Sequence, residues 1–312
     1  MSPAGAIASV AGWLAVLCAA PLMTGLATRA KARLAGKAGA GPLQPYRTLR
    51  KLLRKESLAP EASSALFWIG PLLSTSAVVL ALVGVPMAAG TPALAWSDAL
   101  VIAYLLLLSA MFLVLAGLDT GTAFGGIGAS RETMVAALAE PAFMVALLGL
   151  TATAGTTNVS TALSAIEGGR TLSLSRLIII AALGVLALAE NARLPVDNPA
   201  THLELTMIHE AMTLEHSGPQ LALVQYGSSL KLALFWLLIV GLLAPPAALS
   251  TLGAGGAVAA VALVIGKLMV GGVLLGIAET LFVKMRIFRV PDLLTTSFVL
   301  ALFGLMVGVA VR

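Results

Sequence analysis

Charge is what this chain has least of. Only 11% of its 312 residues are Asp, Glu, Lys or Arg, against 59% hydrophobic, where a soluble domain usually carries about 25% charged residues. At a mean hydropathy of +1.00 there is little polar surface for water to meet. Cysteine is nearly absent, with Cys18 alone. One thiol excludes an internal disulfide and a Cys-ligated iron–sulfur cluster, which needs about four thiolates. A cysteine-held nickel–iron centre is excluded on the same count. Cys18 reads as a small packing or lipid-facing residue. No nucleic-acid motif and no basic stretch interleaved with aromatics occurs, so the net charge of +5 is not read as a nucleic-acid signal.

The apolar residues come in runs. Stretches of about 18 or more read as spans of a bilayer core about 30 Å thick. Eight such runs predict transmembrane helices at Ile7–Thr28, Leu66–Val85, Ala99–Leu118, Thr133–Thr153, Thr171–Ala189, Pro219–Leu243, Ala257–Val283 and Leu293–Val311. The fold class expected is an all-α integral membrane bundle, one membrane domain over residues 1–312, with no internal repeat. No basic residue precedes the first run, which lacks the charged flank of a cleaved signal peptide and reads as a retained span.

Charge sets the orientation. The loops after spans one, three, five and seven hold Arg29, Lys31, Arg33, Lys37, Arg47, Arg50, Lys51, Arg54, Lys55, Arg131, Arg193, Lys284, Arg286 and Arg289, fourteen of the nineteen basic residues. The excess of Lys and Arg on the cytoplasmic side places these loops inside and both termini outside. Ten of the fourteen acids lie on the same side, which that rule does not require. A face rich in both signs suits a docking surface and a proton path better than a simple lipid anchor.

Three features carry chemistry. From Tyr46 to Glu56 the first loop predicts a short amphipathic helix, with Leu49, Leu52 and Leu53 at helical spacing among basic residues. It fits either an interfacial helix on anionic headgroups or a dock for a peripheral subunit. Next, Ala189–Gly218 holds all three histidines, His202, His209 and His216, with Glu190, Asp197, Glu204, Glu210 and Glu215. The spacing of seven predicts one helical stripe, with Pro199 in the first turn and Gly218 as the stop. Seven residues of helix separate two histidines by roughly 10 Å, too far to share a metal ion, so no metal is expected. The segment reads as a charged cytoplasmic helix or as a proton-conducting or quinone-like junction. Third, Glu140, Lys231, Lys267 and Glu279 lie within spans. A charge at mid-bilayer costs at least about 2.5–3.5 kcal/mol and usually marks a pathway; the plainer alternative is a Lys–Glu pair that locks helix packing.

These segments, in this order, resemble the membrane subunit shared by respiratory complex I and the energy-converting nickel–iron hydrogenases. The resemblance covers nearly the whole chain. It rests on Gly41-Pro42, Gln44, Lys51-Leu52, Lys55-Glu56 and Pro60 in the first loop, on Glu190, Arg193, Pro195 and Asp197, and on Glu215 before Ser217-Gly218. The run Arg193 to Glu210, RLPVDNPATHLELTMIHE, and the closing loop Lys284 to Asp292 are similar to the formate hydrogenlyase and hydrogenase branch. The quinone-linked branch commonly continues with Phe-Asp-Leu and a Glu-rich run. Here stands Val196-Asp197-Asn198-Pro199, with His202 and His209 beyond, which favours hydrogenase partners.

The resemblance implies a non-catalytic subunit that holds no cofactor of its own. It implies hydrogenase large and small subunits and an iron–sulfur subunit as partners, carrying the nickel–iron (NiFe) centre and iron–sulfur clusters, with an antiporter-like membrane subunit alongside in the bilayer. It implies a bacterial or archaeal cytoplasmic (inner) membrane. It also implies a proton path through Glu140, Glu190, Glu204 and Glu215. Burial cost adds Lys231, Lys267 and Glu279, and Asp197 and Glu210 sit in the same acidic segment. Docking falls to Arg47, Arg50, Lys51, Arg54, Lys55, Arg193, Lys284, Arg286 and Arg289. The rival readings are a quinone-junction subunit of a complex I-like NADH/quinone oxidoreductase, a stand-alone ion transporter and a purely structural anchor.

Overall fold

A computed structural model describes residues 3–86, 97–152, 154–166, 173–197, 207–243 and 254–310. His202, Glu204 and Pro199 lie outside these residues. Among the described residues eleven α-helices follow one another: α1 (Pro3–Leu34), α2 (Gln44–Leu52), α3 (Ala65–Val83), α4 (Ala99–Asp119), α5 (Ala123–Ala152), α6 (Val159–Ile166), α7 (Leu174–Glu190), α8 (His209–Thr213), α9 (Gly218–Leu243), α10 (Ala254–Leu281) and α11 (Val290–Ala310). Seven are long and apolar enough to cross a membrane: α1, α3, α4, α5, α9, α10 and α11. The eighth expected span, α7, has 17 residues, the lower limit for a crossing, about 17–25 residues. The chain is an all-α, multi-pass membrane protein.

Helix starts are fixed where the sequence supplies acceptors for unpaired backbone N–H groups. Ser64 accepts from Leu66 N to cap α3, Asp98 from Leu100 N to cap α4, and Ser173 from Arg176 N to cap α7. Asp119, ending α4, also takes Ser64 N at 2.7 Å and Phe67 N at 3.1 Å, which ties the α3–α4 hairpin at its loop end. Pro21, Pro71 and Pro141 sit inside helices, as bilayer-spanning helices tolerate when neighbours re-satisfy the freed groups.

The central element is α9. Of its most apolar stretch 78% is buried, against 28% for α10 and α11, so α10 and α11 present broad apolar faces outward. Around α9 stand α1, α3 and α7, with α4 beyond α3, and α11 packed on α5 and α7. The most extensive helix–helix contact is that of α1 with α10. A Cβ on Gly272 or Gly276 would fall 2.5 Å from the carbonyl oxygen of Met23 or Ala27, so glycine permits backbone approach that no other residue would. Replacing Gly276 with Val should pry this pair apart and cost about 1–3 kcal/mol, as overpacking does. Thermal unfolding in detergent checks it; an unchanged midpoint would mean that α1 and α10 do not pack at this distance.

Three expectations are corrected. Span four begins ten residues before Thr133: α5 is helical from Ala123, because Gly125, Gly128, Ala129 and Glu132 continue its buried stripe. The histidine stripe does not form one helix. Among the described residues of that segment, Ala192 turns the backbone at φ 49, residues 191–197 are non-helical, and α8 is only His209–Thr213. The Asp197 carboxylate accepts Ile208 N at 3.1 Å. His209 and His216 therefore sit on different elements. Nor does Gly218 stop a helix. It opens α9 at φ 55, where a Cβ would meet the Glu56 carbonyl oxygen at 2.6 Å.

Candidate functional site: a buried charge cluster reaching one face

Because α7 is short, it ends inside the bundle. Its last residue, Glu190, lies beside Lys231, thirteen residues into α9 and so about 20 Å along it. Lys231 Nζ stands 2.6 Å from Glu190 Oε2, both side chains about one-tenth exposed. The negative C-terminal end of the α7 dipole adds to this attraction. Asn191 Nδ2 donates to Ala187 O at 2.8 Å and satisfies one of the last carbonyls of α7. The Lys231–Glu190 pair realises the helix-locking alternative and also stores a charge at depth.

From α5, Glu132 reaches the same place. Its Oε1 lies 3.7 Å from His209 Nδ1, an ion-pair contact rather than a hydrogen bond. Burial alone pushes the His209 imidazole down, but the facing Glu132 carboxylate outweighs it and holds the ring above its ordinary value. Two turns along α5, Glu140 is within electrostatic reach of Glu190 and Lys231. Its Oε1 is shielded and finds no hydrogen-bond partner.

Three cavities join these groups end to end. One of about 320 Å³ lies between α1, α2, α8 and α9, lined by polar groups including Thr24, Gln44, Asn191, Arg193, Asp197, Glu210 and Gln225. It shares His209 and Ser228 with a second of about 30 Å³, lined by Ser74, Ser109, Glu132, Glu190 and Lys231. That volume holds about two waters. Through Glu190 the second adjoins a third, of about 210 Å³, lined by Glu140, Tyr104, Phe143 and Phe235. Titratable groups thus run from the charged face to mid-bundle.

The remaining sequence-predicted residues are placed as follows. Glu279 is 7% exposed and bridges Lys31 Nζ and Arg193 NH1, each at 3.2 Å. Asp197 pairs with Lys284 at 3.3 Å. Glu215 accepts Thr122 Oγ1 at 2.5 Å, and Lys267 is half-buried on α10, away from the cluster. Arg47, Arg50, Lys51, Arg54, Lys55, Arg286 and Arg289 are exposed, whereas Arg193 is turned inward. His216 stacks on Phe67 at 4.7 Å with both ring nitrogens unpartnered. Burial pushes this ring down to about 4, so it packs on Phe67 as a neutral imidazole near neutral pH. Sequence reasoning missed Glu132 as a member of the cluster.

The His209–Glu132 contact predicts a pH effect. A raised folded-state value stabilises the fold fully below the unfolded histidine value of about 6.5 and loses that contribution as pH rises through the folded value. The thermal midpoint should therefore fall across this rise, and the fall should be absent in His209→Gln. Parallel curves for the two proteins would refute the pairing.

Known proteins agree with this architecture. Formate hydrogenlyase subunit 4 of Escherichia coli strain K12 is 30% identical over 287 residues, 91% of this chain and 92% of that protein. Hydrogenase-4 component C of the same organism is 29% identical over 287 residues, 92% of this chain and 90% of its own length. A chain of the membrane-bound sulfane sulfur reductase, an archaeal respiratory membrane complex, has a similar fold, with a TM-score of 0.79 at 16% identity over 96% of this chain and 99% of that one. The NADH dehydrogenase family profile matches residues 7–310, and the chain belongs to that family, as a membrane subunit of a formate hydrogenlyase- or complex I-like assembly.

Proposed function

We propose that this subunit anchors a cytoplasmic hydrogenase module and couples its electron transfer to proton movement, within a formate hydrogenlyase-like complex. The observation that carries the reading is the continuous set of buried and partly buried exchangeable groups, His209, Glu132, Lys231, Glu190 and Glu140, that begins at the cavity under the charged face. A lipid anchor has no use for buried charges, which are costly in a membrane. The charged face is cytoplasmic by its Lys and Arg excess, and both termini face outward. The membrane is the bacterial or archaeal inner one. The nickel–iron centre and iron–sulfur clusters reside in the partner large, small and iron–sulfur subunits, and an antiporter-like subunit lies alongside.

Docking falls on α2 and the 284–289 loop. Leu53, Leu58, Val283 and Phe288 are strongly exposed there, at 61–88%, among the basic residues. Reversing Arg50 and Arg54 to Glu should release the soluble module on gentle solubilisation, read as loss of the large subunit from the purified complex. An intact, active complex would restrict these residues to lipid contact.

The cavity of about 320 Å³ favours a second reading, a quinone-junction subunit, since binding pockets start near 300 Å³. Solvent extraction of the purified complex decides between them: stoichiometric quinone supports the second reading, and its absence the first.

A further inference from the structure

We propose that the cavity between α4 and α5 is a binding site, entered sideways from the bilayer, for a lipophilic primary ammonium whose head pairs with Glu140. The cavity measures about 210 Å³, and most of its lining is apolar, with Leu106, Phe143, Met144 and Phe235 among it. Its mouth opens on the outer surface of two membrane-crossing helices, where Tyr104 is 56% exposed and Ala137 and Pro141 are exposed beside it. A hydrocarbon body thus reaches the site without leaving the apolar phase, and a ligand smaller than a drug fills it.

Charge selects the head group. Three carboxylates lie along this stretch: Glu140 and Glu190 line the cavity, and Glu132 lies beyond Glu190 in the adjoining small one. Two cations face them. Lys231 is taken by Glu190 at 2.6 Å and His209 by Glu132 at 3.7 Å. Glu140 is left with a shielded oxygen that has no hydrogen-bond partner. An unpaired carboxylate in an apolar wall favours a cation that also donates hydrogen bonds, since charge-assisted bonds are about twice as strong as neutral ones. A fatty acid is repelled by Glu140 and Glu190. An alcohol gains no charge pairing, and a quaternary ammonium has no N–H to give. The rings of Phe143 and Phe235, 4.9 Å apart, offer π faces to an ammonium as well.

Binding itself rests on this geometry. Only its consequence, loss of proton exchange at Glu140 while the site is filled, rests on the relay proposed above.

The intact complex in lipid nanodiscs is exposed to an alkyl diazirine bearing a terminal primary amine, and in parallel to the matching alcohol. After illumination, labelled peptides are mapped by mass spectrometry. The amine should label the 103–107 and 140–144 segments saturably, with excess octylamine blocking it and octanol not. Glu140→Gln should reduce labelling about tenfold, the expectation for one lost charge-assisted hydrogen bond. Ala137→Phe, which closes the mouth and leaves Glu140 in place, should abolish it. Equal labelling by the alcohol, amine labelling that survives Glu140→Gln, or no amine label on these segments because a neighbouring subunit fills the mouth, would each overturn the proposal. No turnover is measured. Coupled activity retained in Glu140→Gln defeats the relay, and amine labelling retained in Glu140→Gln defeats this site, so the two failures stay distinct.

Discussion

Replacing Glu140 with Gln should leave the complex assembled and lower its coupled turnover by about 10²-fold or more, the scale on which a positioned proton-transfer group contributes. Gln keeps the size of Glu and much of its hydrogen bonding, and removes the exchangeable proton. Assembly should survive, because no hydrogen bond to Glu140 Oε1 is there to lose. The measurement is ion translocation by the reconstituted complex alongside its uncoupled redox activity. If translocation persists at the wild-type rate, Glu140 is not in the path.

Replacing Lys231 with Met should behave differently, because Lys231 is paired and Glu140 Oε1 is not. The substitution strands the Glu190 carboxylate at depth, where breaking a buried pair costs about 3–5 kcal/mol. Poor assembly is therefore expected from the single variant. Removing the stranded charge as well, in Lys231→Met with Glu190→Gln, should restore assembly but not coupling. A double variant that assembles and translocates normally would reduce the pair to a packing device. A single variant as stable as the wild type would mean that Glu190 finds another cation, and Arg193, three residues on, would be the first to test.

What the sequence made legible followed from physics that acts locally. Runs of apolar residues fixed the spans to within a few residues for α3, α4, α9 and α10, because a bilayer demands length and hydropathy and little else. The α2 helix was legible from leucines at helical spacing. The start of α5 was not, since Arg131 and Glu132 lower its hydropathy. The signal lay instead in small residues recurring at Gly125, Gly128 and Ala129, which lead straight to Glu132 at the same helical spacing. Lys231 and Glu279 stood out by the cost of burying them. Their partners did not, because Glu190 and Arg193 lie 41 and 86 residues away and nothing local encodes that approach. The histidine stripe misled for a related reason. A spacing of seven is a helical signal only while the backbone stays helical, and α8 ends at Thr213, before His216 is reached.

Ser217 gives the molecule a mechanical property. Its Oγ accepts Leu58 N at 2.7 Å and donates to Leu58 O at 3.0 Å, while the Gly218 backbone lies against that of Glu56. The strand of chain leaving α2 is thereby riveted to the first turn of α9, and α9 runs unbroken to Lys231 about 20 Å further in. A stiff rod fastened at its outer end passes on displacement with little loss. A load on the chain leaving α2 therefore bears first on the outer end of the helix that carries Lys231.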